Sequence, residues 1–487
     1  MTAERDFSPL SRFILISFSN KKCKPKFFVL VILYFSDVKD VVVIGAGLTG
    51  LTLFFLLKQQ GKDILLLEKN DRAGGVIRSH CEQGYIFEEG PNTGVVSNPE
   101  VVELFEMLDC EIETANQSAE KRLIFKNHKW HPLPSGAFSF ITTPLFSPSD
   151  KFRLLFEPFR KKGTDEEETV ASLASRRMGK SFVDYAVNPF ISGIYAGDPE
   201  RLVTKYALPK LYNLEQQYGS FIGGAFKKSR EKKTEMERKA TKKVFSVKGG
   251  LGTLIDSLSE RVGKESVVLK AEDIVIVPDN GCYKIKYRFE GVEYEISTQK
   301  VVTTTGAFTL PQLLPHIPDF DMAMINGLNY AKVVQVAVAL KKGTLDSQYV
   351  SFGGLIPKKE NRNLLGVLFP SYCFNGRSPE GCSTLAIYLG GIRRPELFNL
   401  SDDDIIVLVK NELNELFGVP EAGIAFMKIF RHEYAIPQYE KSSGRRFEAI
   451  KKIESENDGL IIAGNLRDGI GMADRIKQAF NIAERLK

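Results

Sequence analysis

Residues 41–44 form an unbroken apolar run, Val-Val-Val-Ile, that meets Gly45-Ala46-Gly47-Leu48-Thr49-Gly50, and an apolar helical repeat continues to about Gln60. Such a run ending on glycine predicts a strand buried on both faces, then a tight turn and a helix. Gly61 suits a left-handed helix stop. A second apolar run over 64–67 predicts the next parallel strand and ends on Glu68. Further apolar runs predict strands at 267–269, 274–277, 283–289, 291–296, 301–305 and 460–465, with an amphipathic helix entered through Gly249-Gly250. Another strand-rich stretch lies at 333–340, 354–357, 364–369 and 384–389. Residues 101–240 read as mostly helical.

The spacing Gly45, Gly47, Gly50 carries chemistry. The first glycine permits the turn, the second lets backbone approach a pyrophosphate, and the third lets the helix pack on the strand. The first-turn amides at Leu48 and Thr49 add the positive end of the helix dipole. Glu68 stands where an acid accepts hydrogen bonds from a ribose diol. A glycine turn in an ordinary βαβ unit would not require that acid. Near the C-terminal end, 460–463 enters a second glycine turn, Gly464-Asn465, followed by Gly469-Ile470-Gly471-Met472 and a helix. That unit is suited to presenting amides to a site where negative charge builds.

Composition narrows the class. With 487 residues, 43% hydrophobic and 26% charged, the chain reads as a two- or three-domain globular protein. Six widely spaced cysteines without a CxxC, and five histidines without a cluster, predict reduced thiols and no metal site. The net charge is +6, and residues 227–243 hold nine Lys/Arg against three Glu, so the remainder is near neutral. This run reads as a solvated face or as a contact for anionic lipid headgroups. Nucleic acid is not expected, because no stacking platform accompanies the charge. Residues 138–162 interleave Phe138, Phe140, Phe146, Phe152, Phe156 and Phe159 with Lys151, Arg153, Arg160, Lys161 and Lys162. They read equally as core packing or as a helix in a membrane interface. Residues 1–36 fall outside the nucleotide-binding unit and read as a disordered tail or a misassigned start; their apolar run is too short to cross a bilayer.

Past Glu68 the segment Lys69-Asn-Asp-Arg72-Ala-Gly74-Gly75-Val-Ile-Arg78 resembles the extended FAD fingerprint of the glutathione-reductase and amine-oxidase type. Residues 188–199, Asn-Pro-Phe-Ile-Ser-Gly-Ile-Tyr-Ala-Gly-Asp-Pro, are similar to the PFxxGxYAGDP segment of flavin-dependent porphyrinogen oxidases of haem biosynthesis, the protoporphyrinogen oxidase type. Glu89-Gly90-Pro91-Asn92-Thr93, residues 352–357, Phe374-Asn-Gly-Arg-Ser-Pro, residues 434–439 and Ala463-Gly464-Asn465 extend the likeness over about 38–487.

The resemblance implies a discontinuous Rossmann-like FAD/NAD(P)-binding domain, a mixed-sheet substrate domain of the amine-oxidase/p-hydroxybenzoate-hydroxylase kind, and a helical membrane-contacting subdomain. The boundaries read as 1–36 (extension), 37–100, 241–305 and 456–487 (FAD-binding), 101–240 (helical) and 306–455 (substrate sheet). It implies non-covalent FAD held by Gly45, Gly47, Leu48, Thr49, Gly50, Glu68, Lys69, Arg72, Gly74, Gly75, Arg78, Gly90, Pro91, Asn92, Thr93, Val275, Gly464, Asn465, Gly469, Ile470, Gly471 and Met472. Arg122 would pair with a substrate propionate, Leu355 and Phe374 would sandwich the tetrapyrrole, and Ala196 and Gly197 would line the cavity. A guanidinium suits a carboxylate at every working pH.

The implied reaction is oxidation of protoporphyrinogen IX to protoporphyrin IX with O2 as acceptor and H2O2 as product. No Ser/His/Asp, Cys/His or paired-carboxylate set stands out as a catalytic group. Coproporphyrinogen III oxidation is the enzymatic alternative, and an amine oxidase or carotenoid desaturase a more distant one. A membrane-docking flavoprotein-like subunit is the non-enzymatic reading. Expected partners are the porphyrinogen, O2, an anionic membrane surface and a ferrochelatase receiving product. Pairing as a homodimer stays open, and the expected place is the cytoplasm, including the inner face of the plasma membrane.

Overall fold

The structure, a computed structural model, describes residues 38–232 and 234–487. The N-terminal extension read from the sequence lies outside the described residues. Two seven-stranded sheets organise the chain.

The first sheet runs Val267–Val268, Ile64–Leu67, Val38–Ile44, Val292–Thr303, Cys282–Phe289 and Glu272–Asp279, and Leu460–Ile462 also pairs with Val292–Thr303. Ile64–Leu67 and Val292–Thr303 lie parallel to Val38–Ile44, with Val43 opposite Leu66 and Val302. Every residue from Val41 to Ile44 is buried. Val41 and Val43 face one apolar cluster, shared with Leu51, Phe54 and Ile476. Val42 and Ile44 face the other, shared with Leu310, Ile450 and Leu466. A strand covered on both faces has no polar side, which is why its sequence shows no alternation. The two runs read at 291–296 and 301–305 are one strand, Val292–Thr303. Its first half pairs antiparallel with Cys282–Phe289 and its second half pairs parallel with Val38–Ile44 and Leu460–Ile462.

The second sheet runs Ile424–Pro437, Tyr330–Leu340, Ser383–Gly390, Leu364–Leu368, Gly353–Leu355, Arg122–Lys126 and Lys129–Pro132. All its pairings are antiparallel except Gly353–Leu355 with Arg122–Lys126. The helix Asp402–Phe417 covers it through Ile405, Val409, Leu413 and Phe417. The hairpin that ends the sheet comes from the segment read as mostly helical. Asn127 and His128 both take positive φ, 51° and 61°. Two such residues make the tight turn whose twist matches paired strands.

The aromatic, basic segment after residue 137 is not one helix. It splits into Ala137–Thr142, Pro148–Leu155 and the short turn Glu157–Phe159. Pro144 and Pro148 each lack the N–H that a continuous helix would need. Leu145 and Phe146 turn inward and are buried, whereas Phe138 is 81% and Phe159 83% exposed. The turn is held from below by Glu157, whose side chain is fully buried. It pairs with Arg177 at 2.8 Å and accepts the amides of Phe221 and Ile222 at 2.9 and 3.2 Å. Among the described residues no helix is long and apolar enough to cross a membrane.

Candidate active site

Three glycine turns converge at the end of Val292–Thr303. Gly45 leaves the first strand with φ 100°, and a Cβ there would stand 2.9 Å from Thr304 Oγ1. That hydroxyl lies 3.1 and 2.9 Å from the carbonyl oxygens of Ile44 and Gly45. Gly464, with φ 101°, approaches from the other side, and a Cβ on it would lie 3.0 Å from the carbonyl oxygens of Thr304 and Thr305. Gly74 donates its amide to Ala46 O at 2.7 Å, and this brings the Gly74-Gly75 loop over the first turn. Gly75 then passes so close that its Cβ would be 3.3 Å from Gly47 Cα.

Within this cradle Gly47 differs from its neighbours: a Cβ on it would meet nothing within 4 Å. The helix Leu48–Gln59 starts there with Gly47 as N-cap, and no side chain caps it. Its first-turn amides therefore lack an intrahelical acceptor. Gly50 is the opposite case, since its Cβ would fall 1.9 Å from Gly45 O. Leu48 and Thr49 are buried, and the Thr49 hydroxyl lies 3.4 Å from Arg475 O on the terminal helix. Glu68 is buried; it accepts Ala46 N at 2.7 Å on one oxygen, and Asn70 N and Nδ2 at 2.9 and 2.7 Å on the other. Open backbone at a helix N-terminus beside a buried carboxylate fits the phosphates and ribose of a dinucleotide.

Other residues named from the sequence take supporting or peripheral positions. Arg72 donates to the carbonyls of Ala73, Gly75 and Ile77, so it shapes the loop. Lys69 and Arg78 are exposed, and Arg78 stands 3.9 Å from Glu89. Gly90 packs under the same loop, where a Cβ would be 2.1 Å from Val76 O. Pro91 and Thr93 are half-buried either side of Asn92, whose Nδ2 donates to Tyr388 OH at 2.7 Å. The Asn92 Oδ1 is buried with no partner among the described residues. Val275 is half-buried in Glu272–Asp279, just past Ala271, whose amide donates to Glu68 O.

The terminal turn is braced by residues that the sequence did not single out. Tyr439 OH bridges the carbonyls of Asn465 and Gly469 at 2.9 and 3.1 Å. Arg475 donates to Arg467 O and Gly469 O, each at 2.8 Å, and Gln478 Oε1 accepts Gly464 N at 2.9 Å. Burial pushes the Tyr439 phenol well above its usual range, so it stays protonated and can brace both carbonyls. Gly471 caps the helix Met472–Arg485, with Ile470 half-buried before it and Met472 in the first turn. Spacing alone could not reveal this brace, because Tyr439 lies apart from the helix that carries Arg475 and Gln478.

The residues expected to face a substrate lie on the second sheet and beside it. Arg122 is exposed at the start of Arg122–Lys126, with its guanidinium 5.1 Å from the Phe352 ring centre. Gly353 is its register partner and Leu355 that of Ile124. Leu355 leans on Gly193, where a Cβ would be 2.7 Å from Leu355 Cδ2. Ala196 ends the helix Asn188–Tyr195 with φ 45° and packs with Ala331, Leu365 and Tyr388. Gly197 is confined by Gln438, whose Oε1 would lie 2.4 Å from a Cβ.

Phe374 departs from expectation. Its ring is enclosed, 1% exposed, against Ala119, Cys373 and the Arg377 guanidinium, and Phe352 is the aromatic beside Arg122. Tyr388 links the two regions, since it pairs with Gly366, packs on Ala196 and bonds Asn92.

Residues 48–440 match the family model described as flavin containing amine oxidoreductase. The chain belongs to that family. It is accordingly a flavin-dependent oxidoreductase, and its cofactor is FAD. It is 30% identical to protoporphyrinogen oxidase 2, chloroplastic/mitochondrial, of Arabidopsis thaliana, over 92% of this chain and 93% of that one. It is 26% identical to coproporphyrinogen III oxidase of Bacillus subtilis (strain 168), over 90% and 96%. A crystal structure of reduced UDP-galactopyranose mutase superposes with a TM-score of 0.70 at 16% identity, covering 92% of this chain and 95% of that chain. That likeness concerns the fold alone, which hosts more than one chemistry.

Proposed function

We propose that this protein oxidises a porphyrinogen to the porphyrin, with protoporphyrinogen IX as substrate, O2 as acceptor and H2O2 as product. The observation that carries the reading is the placement of Arg122. An exposed guanidinium lies 5.1 Å from the Phe352 ring centre on a strand paired with Gly353–Leu355, and Tyr388 joins Ala196 to the Asn92 side of the cradle. The names of the curated relatives support the same substrate class. Bound FAD supplies the two-electron oxidation, repeated three times per macrocycle. The chain's own residues orient: Arg122 pairs with a propionate, and Leu355 and Ala196 supply apolar surface for a flat ring. One guanidinium at the rim favours the substrate with two propionates over that with four.

Anaerobic mixing with each porphyrinogen, followed by flavin bleaching, tests this; protoporphyrinogen should bleach the flavin faster. Bleaching by neither would end the reading. Arg122→Ala should retain full flavin content and raise KM about ten-fold or more, in line with the roughly 1.5–3 kcal/mol of a charge-assisted bond. An unchanged KM would remove Arg122 from the site.

Contact with an anionic membrane belongs to the same proposal. Phe138, Ile141, Phe152, Leu155, Phe156 and Phe159 are exposed together with Lys151, Arg153, Arg160, Lys161 and Lys162 nearby in the chain. Ile222 and Phe226 extend the surface from the helix Phe221–Ser229, which Glu157 ties to the same turn. Scattered exposed apolar residues are ordinary, but a contiguous basic-rimmed set marks an interaction face.

A further inference from the structure

A second cavity opens away from the glycine cradle, between the end of the hairpin Arg122–Pro132 and the start of Pro148–Leu155. It encloses about 610 Å³ and is lined by Lys126, Lys151 and Lys359 with Phe146, Tyr185 and Ser147. Its lining contains three lysines and no carboxylate. Period-two alternation places Lys126 on the same face of its strand as Arg122, at the opposite end.

The three ammonium groups are crowded. Lys126 Nζ donates to Pro144 O and Leu145 O at 2.7 and 3.0 Å, and Lys151 Nζ to Ile141 O and Thr143 O at 2.7 and 2.6 Å. The two lysines thus hold carbonyls of one short turn. Each ammonium has three N–H donors; after these bonds one remains on Lys151, and the Lys126 Nζ lies 4.2 Å from the centre of the Tyr185 ring. Neither lysine has a carboxylate partner among the described residues. The nearby acids bond other residues: Asp184 pairs with Lys180 and the cavity's own Lys359, Glu360 accepts Tyr185 OH and Asn127 N, and Asp150 accepts Ser181 N. Burial and the Lys359 charge push the Lys126 ammonium below its ordinary range. Lys126 and Lys151, gathered in a cavity with only Lys359 ion-paired to Asp184, suit an anionic ligand.

The surroundings indicate which anion. Phe138 and Ile141 on Ala137–Thr142, and Phe152 and Leu155 on Pro148–Leu155, are exposed on the two helices that flank the cavity. Apolar side chains at the rim and ammonium groups inside reproduce the order of acyl chain and phosphate in a bilayer surface. We propose that this cavity binds the phosphate of an anionic phospholipid headgroup, giving the membrane contact its lipid preference. The inference rests on the membrane reading above and adds a discrete site to it.

Flotation of the flavin-loaded protein with phosphatidylcholine vesicles, with and without phosphatidylglycerol, tests it. The parent should prefer the anionic vesicles several-fold. K126Q/K151Q should lose that preference, to a ratio near one, while binding neutral vesicles as the parent does and keeping full flavin. K126R/K151R should restore it. Preference retained in K126Q/K151Q overturns the proposal. A 31P line-broadening titration with glycerol 1-phosphate separates the sources. Broadening by the parent that K126Q/K151Q abolishes, without any vesicle preference, overturns the lipid assignment in favour of a soluble phosphate ester. Absence of binding to either vesicle would remove the membrane reading, and the titration would still report whether the cavity takes a phosphate.

Discussion

Gly47→Val should give a folded protein that has lost its flavin, whereas Gly50→Val should not fold. The two glycines are three residues apart in one motif, yet their surroundings are opposite. Gly47 has extended backbone that any residue adopts, and the first side-chain atom of a valine there would meet no protein atom within 4 Å. Stability of the apoprotein should change by less than about 0.5 kcal/mol, the range of substitutions that touch nothing. What the valine occupies is the approach to the helix N-terminus, so the ratio of flavin to protein absorbance should fall at least ten-fold. At Gly50 the first side-chain atom would lie 1.9 Å from Gly45 O, and neither the turn nor the helix can move without unseating Val38–Ile44. A Gly47→Val protein that purifies fully yellow would show that the dinucleotide does not approach there.

The second large effect is expected far from the flavin. Arg177→Met should destabilise the helical region by about 3–5 kcal/mol, the usual cost of leaving buried charge unpaired. Arg177 and Glu157 are fully buried and Glu215 nearly so, and Arg177 stands 2.8 and 2.6 Å from the two carboxylates. Methionine fills the volume but leaves Glu157 without its cation, while Glu215 keeps only Arg176, 2.9 Å away. Glu157→Gln should cost less, because its amide oxygen can still accept the Phe221 amide, and only the Ile222 amide loses its acceptor. Denaturant unfolding read by flavin fluorescence and by circular dichroism would resolve the two variants. Equal stability of Arg177→Met and the parent would mean that the charges contribute nothing net.

The nucleotide-binding sheet was readable because its strands are covered on both faces and appear as plain apolar runs. The edge strand Ile424–Pro437 was not. Lys428, Arg431, His432 and Glu433 stand among its apolar residues, and two register shifts against Tyr330–Leu340 break its alternation. Residues 138–162 read from sequence as core packing or a membrane-interface helix, with no sign that Glu157 would be enclosed, yet it and Arg177 are the most enclosed charges of their region. Their pairing spans 20 residues, and that of Arg177 with Glu215 spans 38. Burial of charge is decided by such distant partners, which local composition does not carry. For the same reason the family likeness implied ligand contact for Arg72 and Phe374, whereas Arg72 bonds its own loop and Phe374 is sealed in.

The convergence of three chain segments around Thr304 has a temporal side. Gly45, Thr304 and Gly464 are separated by hundreds of residues, so the berth proposed for FAD cannot exist until residue 472 has cleared the ribosome. Nascent chains would therefore emerge without coenzyme, and loading would be a late event that locks an otherwise finished scaffold. Supply of the vitamin at that moment would set how much polypeptide matures.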